Sequence, residues 1–212
     1  MDNRVAENEV GSGVGSAAPP TADRVRVAAR LVTDVLQPRN TLLVGLITLG
    51  AVVARSWTGA AWGLVAAGCA GIVPAAYIQW ERRRGTWGDR HVVDRRQRPR
   101  IFAVILTSIG AGTALMLAAG APNRLVVAML AMWGMTVVLL VVNAAWKISV
   151  DCTVASATVA LLAVAGGAWW LTGYAGVVAV CWSRVALRYH TLAQTIAGTT
   201  LGAAAAAALT LG

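Results

Sequence analysis

The feature that most restricts this chain is a row of apolar runs interrupted by a single arginine-rich segment. After Asn40 the apolar residues gather at about 41–54, 58–79, 101–120, 125–145, 152–171, 174–187 and 191–211. Between the second and third runs, residues 81–100 carry Arg82, Arg83, Arg84, Arg90, Arg95, Arg96, Arg98 and Arg100. One arginine at the centre of a bilayer costs roughly 2.5 kcal/mol or more, so burying all of these would cost about 20 kcal/mol. The segment therefore belongs outside the hydrocarbon. Seven spans of roughly 20 residues would use about 140 residues, most of the chain beyond the N-terminal region. Composition agrees, with 58% hydrophobic and 13% charged residues, whereas a soluble domain runs nearer a half and a quarter. The expected fold is an all-α integral membrane protein, a bundle of six to seven transmembrane helices over residues 40–212.

Residues 1–39 are expected to form a disordered tail with one short helix. The first 22 or so are rich in Gly, Ala, Ser, Pro and acidic residues, and they lack a positive start followed by an apolar core, so no cleaved signal peptide is expected. Over about 22–36, Val25, Ala28, Leu31, Val32, Val35 and Leu36 recur at helical spacing, with Arg24, Arg30 and Asp34 on other faces. That pattern suits an amphipathic helix on a membrane surface, stopped by Pro38.

If all seven runs cross, the tail, the arginine-rich segment, Lys147 and the 183–190 turn share one side of the membrane. Of the 18 Lys and Arg residues, only Arg55 and Arg124 then face the other way, which assigns the basic side to the cytoplasm of a multi-pass cell-membrane protein. All nine acidic residues and both histidines fall on that same side. The net charge of +9 is thus read as topology and as an anion site, and no nucleic-acid partner is expected. Cys69, Cys152 and Cys181 lie in apolar runs without metal-type spacing and read as buried thiols.

Three clusters of reactive side chains meet on the basic side. His91, Arg95 and Arg98 fall at i, i+4 and i+7, one stripe of a helix. Lys147 and Asp151 are one helical turn apart with Ser149 between them, and Ser183–Arg184 is followed by His190 and Gln194. Arg82 to Arg84, directly after a run, read instead as topology and lipid head-group contacts. Arginine forks and a lysine with serine hydroxyls at a membrane surface make the inventory of a phosphate or diphosphate site. A histidine there can attack phosphorus or shuttle a proton.

The run Ser183-Arg184-Val-Ala-Leu-Arg-Tyr-His190, followed by Thr191-Leu-Ala-Gln194, resembles the third signature of the type 2 phosphatidic acid phosphatase (PAP2) superfamily, SR-x5-H-x3-D. Arg98-Pro99 with upstream basic residues resembles the first, K-x6-RP, and Ile148-Ser149-Val150-Asp151 lies where the second, PSGH, belongs. The likeness covers roughly residues 57–205 and points to an actinobacterial branch. It implies a PAP2-like helical bundle and a phosphatase or diphosphatase of a lipid phosphate or prenyl diphosphate, working without a cofactor among membrane lipids. By the same resemblance, His190 attacks phosphorus and Gln194 orients it where the family has Asp. Arg98, Arg184, Ser183 and Ser149 bind the phosphate, joined by Lys147. His91 takes the family's lysine position, and Arg95 or Arg90 supplies the charge.

Asp151 departs from the pattern, because the family places there the histidine that protonates the leaving oxygen. A carboxyl group does that work when burial raises its pKa, and Lys147 nearby opposes this. An ionised Asp151 with Asp89 and Asp94 could instead hold Mg2+ across a diphosphate. The alternative is then a membrane terpene cyclase or prenyl transferase, with Trp133, Trp146, Trp169 or Trp170 shielding a carbocation. A further alternative is a diverged, non-catalytic lipid-binding protein.

Overall fold

The computed structural model describes residues 20–84 and 98–210, and all regular structure in them is helical. Helix α1 (Pro20–Val35) covers the predicted amphipathic segment. Its buried edge, centred on Ala29, packs against a helix from the other end of the chain, α8 (Tyr174–Ala186). Val27, Leu31 and Val35 remain exposed on the opposite edge, so both edges of α1 are apolar. After a break at Leu36–Gln37, α2 (Pro38–Ala54) begins with proline in its first turn, where the missing N–H costs nothing. The two helices meet at a bend of 46° and together form either a broken span or a re-entrant loop.

Arg55, left-handed at φ 49°, and Ser56, whose hydroxyl accepts from the Gly59 amide at 3.2 Å, turn the chain into α3 (Trp57–Ala67). This hairpin is closed by glycine. A Cβ on Gly63 would strike the Leu46 carbonyl, and one on Gly50 would strike the Gly59 carbonyl. α3 runs through a π-helical turn, Gly68–Ile72, into α4 (Val73–Arg83). The wider turn frees a carbonyl from the regular ladder, and the Ser108 hydroxyl donates to Cys69 O at 2.6 Å from the neighbouring helix.

Next come α5 (Arg98–Ala118), α6 (Asn123–Ala145) and α7 (Val150–Gly166). A 3-10 segment, Ala168–Gly173, leads to α8, and α9 (Leu192–Ala205) closes the described chain with a final 3-10 turn. α7 lies at the centre, packed on α2, α8 and α9.

Among the described residues, three helices are long and apolar enough to cross a membrane: Trp57–Arg83, Arg100–Ala118 and Asn123–Ala145, or up to four if the bent α1–α2 pair counts as one. α7, α8 and α9 have 17, 13 and 14 residues. At 1.5 Å per residue these reach about 20–26 Å, short of a core about 30 Å thick. The apolar runs read from the sequence at 152–171 and 191–211 each end in 3-10 turns, which is why α7 and α9 are shorter than the runs that predict them.

Candidate functional site

Ser149 joins two of the three expected clusters. It caps α7, its hydroxyl accepting from the Cys152 amide at 3.4 Å, and its own amide donates to the Gln194 carbonyl at 3.2 Å. Glycine lets α9 come this close: a Cβ on Gly198 would stand 2.6 Å from the Ser149 carbonyl. Ser149 and Ser183 are both fully buried. The Ser183 hydroxyl donates to Val180 O at 2.8 Å and accepts from Thr33 at 3.4 Å, which ties α8 to α1.

Arg184 and Asp151 form the electrostatic centre. Arg184 Nη2 donates to Asp151 Oδ1 at 2.9 Å, with both side chains largely buried. The turn after α8 is wound around Arg184: its carbonyl accepts from the amides of Tyr189 at 3.0 Å and His190 at 3.3 Å. Arg188 supplies the left-handed residue, φ 57°, that this tight return requires. Two buried nitrogens in this turn have no hydrogen-bond partner, Arg184 Nε and His190 Nδ1. Such orphans are rare and expensive, since a buried polar atom without a partner costs about 1–3 kcal/mol.

Other expected contacts are arranged differently. The Gln194 amide oxygen accepts from the Thr191 backbone N–H at 3.0 Å, and the Thr191 hydroxyl accepts from Gln194 N at 3.3 Å. Gln194 therefore serves a capping box at the start of α9, and the His190 imidazole lacks the acceptor expected from it. Lys147 is exposed, and α7 begins only at Val150. The one-turn pairing of Lys147 with Asp151 does not form because the backbone between them is not helical; Arg184, from another helix, takes that place.

Arg98 is the first residue of α5, and its side chain lies outside the described residues. His91, Arg95, Asp89 and Asp94 also lie outside them, as does the tail over residues 1–19. Among the described residues no three His, Cys, Asp or Glu side chains gather as metal ligands. Trp133, Trp146 and Trp169 are exposed on the helix surfaces, and Trp170 packs against the main core. Trp169 and Trp170 stack on each other with ring centroids 4.0 Å apart, and the Trp133 indole N–H donates to Leu106 O at 3.1 Å.

Two features lie beyond the expectations from sequence. Cys152 and Cys181 are not isolated buried thiols: their sulfurs are 3.3 Å apart, joining α7 to α8 beside Asp151. A cavity of about 490 Å³ opens on the opposite side of α7, between α2, α4, α5 and α6. Neither has a local sequence signal, since each is made by helices distant in the chain. No family model, curated protein or solved structure matches this chain.

Proposed function

We propose that the chain is a membrane-embedded lipid phosphatase or diphosphatase of PAP2 type. It would have six to seven membrane-crossing segments and act at the cytoplasmic face on a prenyl diphosphate or another lipid phosphate. The observation that carries this reading is Arg184: a residue 8% exposed, its guanidinium with one arm on Asp151 and its Nε unpartnered, on the same turn as the unpartnered His190 Nδ1. A phosphate oxygen is a suitable acceptor for such a guanidinium donor.

In this scheme a nitrogen of His190 attacks phosphorus, the bond from phosphorus to the leaving oxygen breaks, and water then hydrolyses the phosphohistidine. Asp151 Oδ1 is engaged by Arg184, so the scheme uses Asp151 as the counter-ion of Arg184 and assigns no general acid. A diphosphate suits that arrangement better than a monoester. Its leaving group is a phosphate, already able to bear the negative charge, whereas an alkoxide needs a general acid. Prenyl diphosphates are therefore the favoured substrate class.

The purified protein should release inorganic phosphate from farnesyl diphosphate without added metal, and His190→Ala should lower the rate at least 100-fold. Undiminished release by that variant would remove His190 as nucleophile. Asp151→His should raise the rate on a lipid monophosphate more than on the diphosphate, because only the former lacks a good leaving group. One observation favours a second reading, a diverged lipid-binding protein without turnover: the oxygen that should orient His190 is spent on the Thr191 cap. Absence of phosphate release across prenyl diphosphates of several lengths, with lipid binding intact, would select it.

A further inference from the structure

The cavity on the far side of α7 is polar at one end only. Its polar end is built from Gln37 and Arg39 at the start of α2 and from Gln79 and Arg82 at the end of α4. From there the walls run inward along α5 from Ile101 to Ile109 and along α6 from Leu139 to Met132. Eight residues of helix correspond to a depth of about 12 Å. Among the described residues of these deeper walls, the one hydroxyl belongs to Thr136 and is already committed, donating to Met132 O at 2.8 Å. The interior thus offers a polar ligand nothing to bond.

Three observations describe what the mouth accepts. Arg39 and Arg82 are both exposed there, on separate helices. The start of α2 has no side-chain cap, so the positive end of its dipole faces the same region, although Pro38 carries no N–H and the Asn40 and Thr41 amides already donate to Gln37 O. The arginine forks match the paired oxygens of a phosphate. The volume lies within the range of about 300–1,000 Å³ usual for small-molecule sites.

We infer that this cavity binds a single-chain anionic amphiphile, its phosphate head held by Arg39 and Arg82 and its hydrocarbon chain running inward between α5 and α6. This site is separate from the Arg184–His190 turn, and it stands whether or not His190 acts on phosphorus. Val150 and Val154 form its wall on α7, while Asp151, next in the chain, turns to Arg184.

The test is titration of dodecyl phosphate into the full-length protein in a non-ionic detergent, read by calorimetry. Wild type should bind one molecule in this cavity, counted as the binding event that survives Arg184→Gln, which removes the phosphate contact of the other site. Arg39→Gln combined with Arg82→Gln should weaken binding at least tenfold by removing the head contact. Ala75→Phe, which places a ring in the cavity, should weaken it as much while leaving both arginines in place. His190→Ala should bind as wild type does, which keeps failure of this site distinct from failure of the phosphatase reading. Binding unchanged by Ala75→Phe, or inorganic phosphate competing as effectively as the amphiphile, would reduce the site to surface anion attraction and overturn the inference. Unfolding temperatures measured for each variant separate lost binding from lost fold; if Ala75→Phe does not fold, Gly71→Leu fills the same cavity wall.

Discussion

The two sides of α7 are built from different materials. Toward α8 and α9 it presents Ser149, Cys152, Thr153 and Ser156, all fully buried. Thr153 donates to Ser149 O at 2.8 Å and Ser156 to Thr199 O at 2.7 Å, while Gly198 and Gly202 bring α9 into backbone contact. Toward α2, α4 and α6 it presents Val150 and Val154, and there a large cavity remains. Small polar side chains can bond their neighbours at short range, so the helices close completely. Branched apolar side chains make no directional demand and leave room where facing helices diverge. The first side is suited to hold a fixed charge pair, and the second to admit a flexible chain.

The largest test of this contrast is the charge pair itself. Arg184→Ala would leave Asp151 without its cation at the edge of the closed side, a loss of about 3 kcal/mol, at the low end for broken buried pairs because Asp151 keeps some exposure. Replacing both partners together, Arg184→Met with Asp151→Leu, should recover most of that loss, since no unpaired charge remains. Thermal unfolding in detergent measures both. A single-variant loss under about 0.5 kcal/mol would mean that water screens the pair and that the closed side is not closed there.

Glycine substitution gives the next effect. A methyl group on Gly202 would meet the Thr153 carbonyl and stand 2.8 Å from Ala157 N, so Gly202→Ala must push α9 off α7 at a cost of about 2 kcal/mol. The same addition on the open side has space: Ala75→Val, at the cavity wall, should change stability by less than about 0.5 kcal/mol. Equal losses from the two would erase the distinction between the sides.

How much of the molecule is legible in the sequence differs between the sides in the same way. The helical class, the apolar runs and the amphipathic α1 follow from periodicity and hydropathy, which are local properties. The nearness of Ser149, Asp151, Ser183 and Arg184 is expected from their likeness to an ordered set of signatures; of the four, the described structure joins Asp151 to Arg184, while Ser149 bonds Cys152 and Gln194 and Ser183 bonds Val180 and Thr33. The Asp151–Arg184 pairing is not legible, because a one-turn spacing points to Lys147 and only the start of the helix at Val150 rules that out. The expectation for Gln194 fails for a related reason: Thr-x-x-Gln is also a capping box, and the nearest amide claims the oxygen first. The cavity has no signal at all, since an apolar residue looks the same in a sequence whether it packs or lines a void. Arg39 and Arg82 read as topology in the sequence because their meeting depends on where α2 starts and α4 stops.

The last effect concerns Val154, which is 7% exposed and lines the cavity. In a filled core, removing two methyl groups would cost about 1.6 kcal/mol of transfer energy and more for the void left behind. Here the void already exists and the side chain lacks partners on that flank, so Val154→Ala should cost only about 1 kcal/mol. With saturating dodecyl phosphate the order should change. Bound ligand stabilises wild type by about 2.7 kcal/mol at a concentration of 100 Kd, and its chain supplies the contacts that Val154 otherwise misses. The cost of Val154→Ala should therefore grow toward the filled-core value when the ligand is present. A cost that stays the same with and without dodecyl phosphate would show that the hydrocarbon chain does not reach α7, and would confine the ligand to the arginines at the mouth.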